Sequence, residues 1–339
     1  MRVTLEQIAA ELGVSRSTVS RALRDSPRIS KTTRDRVKAL AAQMGYIPND
    51  VARSLRTNRT GVLGFITQAL GDTYPGDILR GVQNTALNRG YCLLSGCSEV
   101  NPGKERKLVT DFLAKNVDGL IIAPVASSKN ISFFRSLLKR NLPIIFVDRH
   151  LPEVEIGYVT TDNFFGAYEA VSYLIQRGYK RILCIAGLEG ACFEAQERVR
   201  GYRQALADND LSYEKVFFED NLEAAPRAIQ YSYELMKREL EAEERPDAVF
   251  AINDAMALGA VRACLEAGFD IPNDIGIIGF DNLEIGEYLP ISLSSVQQPK
   301  YEIGVQAVNW ILDSLNESKA KEPLRMTIKP KLVIRESTR

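Results

Sequence analysis

Two groups of residues have types and spacing suited to chemistry. The first is compact. Arg16-Ser17-Thr18-Val19-Ser20-Arg21 interleaves two guanidinium groups with three small hydroxyls. At helical spacing Val19 and Leu23 share an inward face, leaving Arg16, Ser17, Thr18, Ser20 and Arg21 outside. Such a face suits a DNA groove, because Arg forks onto guanine and Ser or Thr reaches phosphates or bases. The plainer reading is one helix of an ordinary bundle. The second group is dispersed: Gln68, Tyr74-Pro75, Asp148-Arg149, Phe193, Arg198, Asn253-Asp254 and Asp281-Asn282. Each lies just beyond an apolar run that reads as a strand, where open α/β sheets bind ligands. Carboxylates, amides and Arg with a few aromatics suit a polyhydroxylated ligand, through charge-assisted bonds to hydroxyls and a platform for a sugar C–H face. For any one position the competing reading is turn chemistry, since Asp and Asn after strands often cap the next helix.

Other chemistries are poorly provided for. The chain has one histidine, His150, and five scattered cysteines with no CxxC, so reduced core thiols are expected and no metal or cofactor site is. No GxGxxG follows a strand, and no GxxxxGK[ST] or GxSxG occurs. Catalysis is therefore not expected.

The elements that must position these residues can be read in order. Thr4-Leu5-Glu6-Gln7 forms a capping box, and Leu5, Ile8, Ala9 and Leu12 make one apolar helical face. Gly13 turns the chain and Ser15 caps the second helix. Ser30 caps a third, along which Val37, Leu40, Ala41 and Met44 repeat the spacing. Three short helices of this kind make a helix-turn-helix module. Residues 1–60 carry 12 Lys/Arg against 5 Asp/Glu, a balance of +7, whereas residues 61–339 carry 31 against 38, or −7. A zero net charge thus hides a basic head on an acidic body, the electrostatic footprint of phosphate binding.

Residues 46–60 read as a joint. Pro48 ends the third helix, and Asn49 can cap a two-turn helix over 50–56. Either this is a flexible linker, or it folds on DNA with Leu55 as a wedge in the minor groove. From 61 onward strands are expected near 62–67, 91–95, 120–123, 144–147, 182–186, 216–218, 248–252, 276–280 and 331–335. Helices are expected near 78–89, 104–115, 131–140, 164–177, 196–208, 223–243 and 255–267. This alternation means βαβ units and parallel sheets. No apolar run reaches 18 residues and no signal-like segment opens the chain, so a cytoplasmic protein is expected.

Val3-Thr4-Leu5 through Val19-Ser20-Arg21, then Tyr46-Ile47-Pro48-Asn49 and Val51-Ala52-Arg53-Ser54-Leu55, resemble the headpiece and hinge helix of the LacI/GalR family of bacterial transcription regulators. The resemblance runs over the whole chain. It implies an all-α headpiece over 1–46, a hinge helix and linker over 47–60, and a type I periplasmic-binding-protein-like core of two doubly wound subdomains over 61–339. The implied N-subdomain covers about 61–160 and 292–322 and the C-subdomain about 161–290 and 324–339, with crossovers near 161, 290 and 323. It further implies a dimer reading a pseudo-palindromic operator, with Thr4, Ser15, Arg16, Ser17, Thr18, Ser20, Arg21, Asn49, Ala52, Arg53 and Leu55 at the DNA.

For the core, the resemblance matches Arg198, in Arg198-Val199-Arg200-Gly201-Tyr202, to an effector-binding arginine. It matches Asn253-Asp254 and Asp281 to shared effector-site motifs, and Asp148 to a position used by sugar-responsive members. Tyr74-Pro75 departs from the commoner pair that ends in Phe, and the loop 188–197 has no close counterpart. Gln68, Tyr74, Asp148, Arg149, Phe193, Arg198, Asn253 and Asp281 form the expected effector set. The expected function is an operator-specific repressor, homodimeric because no heptad tail follows the last strand, and controlled by a small carbohydrate or related metabolite. The alternative is a catabolite-control-type regulator whose co-effector is a partner protein.

Overall fold

The computed structural model describes residues 3–47, 59–69, 73–188, 192–219, 228–316 and 322–338. The chain divides into two compact units, Met1–Thr60 and Gly61–Arg339.

The first unit holds α1 (Leu5–Leu12), α2 (Arg16–Ala22) and α3 (Lys31–Gln43). Each starts on a hydroxyl that accepts a backbone N–H of the first turn: Thr4 from Gln7, Ser15 from Thr18 and Ser30 from Thr33. Gly13 ends α1 at φ +63°, a left-handed conformation that a side chain would resist. The core is small: Ile8, Ala9, Val19, Ala22, Val37 and Ala41 are buried, edged by Leu5, Leu12, Leu23, Leu40 and Met44.

The second unit runs β1 (Val62–Thr67), α4 (Thr73–Asn88), β2 (Cys92–Cys97), α5 (Pro102–Ala114), β3 (Gly119–Ile122), α6 (Ile131–Leu137), β4 (Ile144–Val147) and β5 (Gly157–Thr161). It continues with α7 (Asn163–Gln176), β6 (Ile182–Leu188), α8 (Phe193–Asp208), β7 (Lys215–Glu219), α9 (Ala228–Leu240), β8 (Ala248–Ala251), α10 (Asp254–Glu266) and β9 (Gly276–Phe280). The last elements are β10 (Ser294–Gln297), α11 (Lys300–Asn316), β11 (Arg325–Ile328) and β12 (Lys331–Val333). Two six-stranded sheets result, ordered β11-β5-β4-β3-β1-β2 and β12-β10-β9-β8-β6-β7. The orders correspond strand for strand, and only β12 runs antiparallel, against β10.

Both faces of each sheet are covered, so the central strands are apolar throughout. In the first sheet, Leu63 and Phe65 meet Ile78, Val82, Ile303 and Ile311 of α4 and α11, while Ile66 on the opposite face meets Val109, Phe112 and Phe134. Helices α4 and α11 cross closely. A Cβ on Gly304 would lie 2.4 Å from the Ile78 carbonyl oxygen, and one on Gly81 2.2 Å from that of Tyr301. The second sheet builds one core around Tyr202, Phe250, Phe280, Ile277 and Ile278. Among the described residues no helix is long and apolar enough to cross a membrane.

The pairing corrects several expectations. Residues 157–161, 294–297 and 325–328 are strands, where no strand is legible in the sequence. Because β10 pairs with β9, residues 294–297 belong to the second sheet, and the chain returns to the first half at 298–299 rather than near 290. Because β11 pairs with β5, the last crossover lies at 329–330 rather than near 323. The helix expected at 223–243 is described over Ala228–Leu240. Cys184, Cys192 and Cys264 are buried thiols as expected, but Cys92 on the edge strand is exposed and Cys97 is half-buried.

Candidate functional site

In the head, α2 presents Ser15, Arg16, Ser17 and Arg21 to solvent. Arg16 Nε lies 2.9 Å from Glu6 Oε1, an ion pair between two exposed side chains. Such pairs contribute about 0–1 kcal/mol, so Arg16 is easily released to another acceptor. The hydroxyls are less free than the sequence suggests. Ser15 Oγ is 2.8 Å from Ser17 Oγ and 2.9 Å from Thr18 Oγ1, and Thr18 is half-buried. Ser20, also half-buried, is gripped by Arg24, whose Nη2 donates to its Oγ at 2.7 Å and whose Nε donates to its carbonyl at 2.9 Å. Thr4 is engaged in its capping box with Gln7. Asn49, Ala52, Arg53 and Leu55 lie outside the described residues.

In the second unit the carboxyl ends of the two sheets meet. In each sheet the strand order reverses beside the first strand, at β1/β3 and at β6/β8, and ligands of doubly wound sheets bind at such points. At the first, Gln68 Nε2 donates to the Pro124 carbonyl at 2.5 Å. Beyond β4, Asp148 is left-handed at φ +66°, and Arg149 Nε stands 3.6 Å from its Oδ2. At the second reversal Arg198 is almost buried. Its Nη1 donates to the Ile252 carbonyl at 2.6 Å, its Nε to Asn163 Oδ1 at 2.7 Å, and its guanidinium lies 3.8 Å over the Phe280 ring. Asp281 Oδ1 is 3.8 Å from Arg198 Nη1 and accepts from Gln298 Nε2 at 2.6 Å. Gln298 Oε1 in turn accepts from Thr161 Oγ1 at 2.6 Å.

Burial raises the Asp281 carboxyl to about 7, against the opposing attraction of Arg198. Burial likewise raises Asp254 to about 6. The two interact, so they titrate as a pair. Asp254 spends its oxygens on the fold: Oδ1 accepts from Ser295 Oγ and Oδ2 from Leu283 N, both at 2.6 Å. Asn253 caps α10 by accepting from Met256 N at 2.8 Å, so turn chemistry does hold at that position.

The structure therefore brings Arg198 and Asp281 together and pairs Asp148 with Arg149. Gln68 stands at the reversal of the first sheet. Phe193 opens α8 and touches the first half through His150, ring to ring at 4.8 Å. The Tyr74 side chain lies outside the described residues, although its backbone is in α4. Sequence reasoning missed Asn163, Thr161 and Gln298. All three sit at or just past the ends of β5 and β10, strands too polar to be recognised, so their strand-end position was hidden. A surface hollow of about 810 Å³ lies elsewhere, lined by Arg181, Tyr213, Lys215 and Glu244 at the amino ends of the second-sheet strands.

Comparison with known proteins finds the same two parts. Residues 4–49 match the family of bacterial regulatory proteins of the lacI family, and residues 171–338 match a periplasmic binding protein-like domain. The chain is 33% identical over 342 residues to the HTH-type transcriptional repressor CytR of Escherichia coli (strain K12), covering 99% of this chain and 96% of CytR. The lac repressor dimer bound to operator and the anti-inducer ONPF is similar in structure, with TM-score 0.85 and 26% identity over 100% of this chain and 99% of that one. The complex of the transcriptional regulator CelR with cellobiose has TM-score 0.71 and 29% identity, over 99% of this chain and 100% of that one.

Proposed function

From the premise that this chain belongs to the lacI family of bacterial regulatory proteins, and is a helix-turn-helix transcriptional repressor with an effector-binding domain, we propose that a small carbohydrate or related metabolite binds between the two sheets and alters operator affinity. The observation that carries this reading is the Arg198–Asp281 pair. A nearly buried guanidinium and carboxylate stand 3.8 Å apart at the carboxyl ends of the second-sheet strands, the guanidinium lying over the Phe280 ring. They offer both a donor and an acceptor to ligand hydroxyls. Asp148, Arg149 and Gln68 supply the facing side, with Phe193 as the aromatic surface. The similar CelR–cellobiose complex supports a sugar ligand.

In the same reading Arg16, Ser17 and Arg21 read bases as one of two heads in a homodimer. Thr4, Ser15, Thr18 and Ser20 set the helix and approach phosphates. Asn49, Ala52, Arg53 and Leu55 contribute at the operator centre. The reading contains no catalytic step and requires no partner protein. A thermal-shift screen with D-ribose, cellobiose and sugar phosphates tests it, because a ligand bound only by the folded state raises the melting temperature. A sugar that raises the melting temperature and changes operator affinity supports the proposal. Ligands that bind without altering operator affinity overturn it.

A further inference from the structure

The chain's one histidine joins the two halves of the second unit. His150 follows β4 of the first sheet, and Glu194 opens α8, which packs on the second. Glu194 Oε1 accepts two hydrogen bonds from that single residue, from the backbone N–H at 2.9 Å and, with a proton on Nδ1, from the imidazole at 2.7 Å. The imidazole stacks on Tyr158 of β5, with centroids 4.1 Å apart and planes 24° apart, and meets the edge of Phe193 at 4.8 Å. The His150 side chain is 11% exposed and that of Glu194 5%, so the contact is desolvated. A contact made by two residues that each belong to a different half must break for the halves to part.

The contact is also incomplete. Glu194 Oε2 is buried and has no hydrogen-bond partner among the described residues. A buried acceptor left unmade opposes the state that buries it. Opening the halves would return Oε2 to water while sacrificing the two bonds at Oε1. A strut meant only to hold the halves together would gain from a partner at both oxygens. One satisfied and one unsatisfied oxygen instead reduce the margin by which the closed arrangement is preferred, so a ligand contribution shifts it more readily.

We propose that His150 and Glu194 form a latch that sets how far the two halves close before an effector arrives. The latch as a contact stands independently of the effector, whereas its regulatory role rests on the reading of the cleft given above. The His150 amide reports the latch directly, since its partner lies on the other half. Hydrogen exchange of full-length protein is read over residues 148–151 and 193–198, with the core strands 120–122 and 182–186 as a control for folding. In wild type the His150 amide exchanges at least tenfold more slowly than an unprotected amide. Glu194→Ala removes that protection, while Glu194→Gln, whose neutral carbonyl keeps two lone pairs but is a weaker acceptor, is intermediate. Unprotected exchange at His150 in wild type, or unchanged exchange in Glu194→Ala with the core strands intact, overturns the latch.

The second measurement is titration of a DNA site selected from a random-sequence pool, with no effector present. Glu194→Ala and His150→Ala shift its Kd at least fivefold from wild type. A loosened latch with unchanged Kd overturns the regulatory role. A wild-type protein that selects no DNA sequence fails the function proposed above while leaving the exchange result standing.

Discussion

At the scale of single residues, Arg16 and Asp281 make the sharpest claims. Arg16 projects from the start of α2 and, among the described residues, is held by an exposed pair with Glu6. Arg16→Ala should relax base preference at one operator position, costing about 1–3 kcal/mol against the preferred base. Competition among single-base operator variants measures this, and equal weakening on every sequence would make Arg16 a phosphate contact instead. Asp281 makes a claim about pH. Burial raises its carboxyl, which titrates together with Asp254, from 3.8 to about 7, so between those values the folded chain holds a proton that the unfolded chain has shed. The stability this contributes is complete below the unfolded value and is lost as pH rises through the folded one. The melting temperature should therefore fall between pH 4 and pH 7, and fall less in Asp281→Asn, which mimics the protonated form and keeps an acceptor for Gln298. Calorimetry on both proteins across that range checks it, and parallel curves would remove Asp281 as the titrating group.

At the scale of elements, function depends on how helices meet. The crossing of α4 and α11 leaves no room for a methyl group, since the obstacle at Gly304 is the Ile78 carbonyl in the facing backbone. Gly304→Ala should destabilise the second unit by about 1–3 kcal/mol, the usual cost of overpacking, as read by denaturant unfolding. DNA binding by the head should persist under native conditions. The segment around Leu55 joins the two units in sequence, and its proposed role is an apolar wedge in a bent operator. Leu55→Gly should then weaken operator binding far more than binding to random DNA, because only the bent specific complex uses the wedge. Anisotropy titrations on both DNAs decide it, and equal losses would reduce Leu55 to a linker residue.

At the scale of the whole molecule, the charge division and the paired sheets belong to one device. The basic head supplies affinity for DNA, and the acidic body offers the proposed effector two walls, separate sheets joined by three crossovers. An effector bridging those walls can act on the operator only through a difference in affinity between open and closed forms. Linkage makes that action reciprocal: typical coupling is about 1–3 kcal/mol, or roughly 5–150-fold in either affinity. Ligand titrations with and without operator should therefore give the same factor as operator titrations with and without ligand. Asp281→Ala should remove that factor and keep operator binding. If Asp281→Ala protein folds but loses operator binding in the absence of ligand, the residue serves the fold alone.

The local patterns were legible without coordinates. The capping hydroxyls at Thr4, Ser15 and Ser30, the turn at Gly13 and the helical spacing of Ile8, Val19 and Val37 depend on near neighbours, so periodicity and turn chemistry reveal them. The apolar strands β1, β3, β4, β8 and β9 were equally visible, because strands covered on both faces carry continuous apolar runs. Strands β5, β10 and β11 were not visible. Gly157–Thr161, Ser294–Gln297 and Arg325–Ile328 interrupt their apolar residues with polar ones, and what makes them strands is the neighbour each pairs with. That pairing is a tertiary contact with another segment, so no local pattern marks them. The crossover positions and the roles of Asn163, Thr161 and Gln298 stayed hidden with them. The same holds for His150. In sequence it is an isolated imidazole beside Asp148-Arg149, and only the approach of α8 places the Glu194 carboxylate 2.7 Å from its ring.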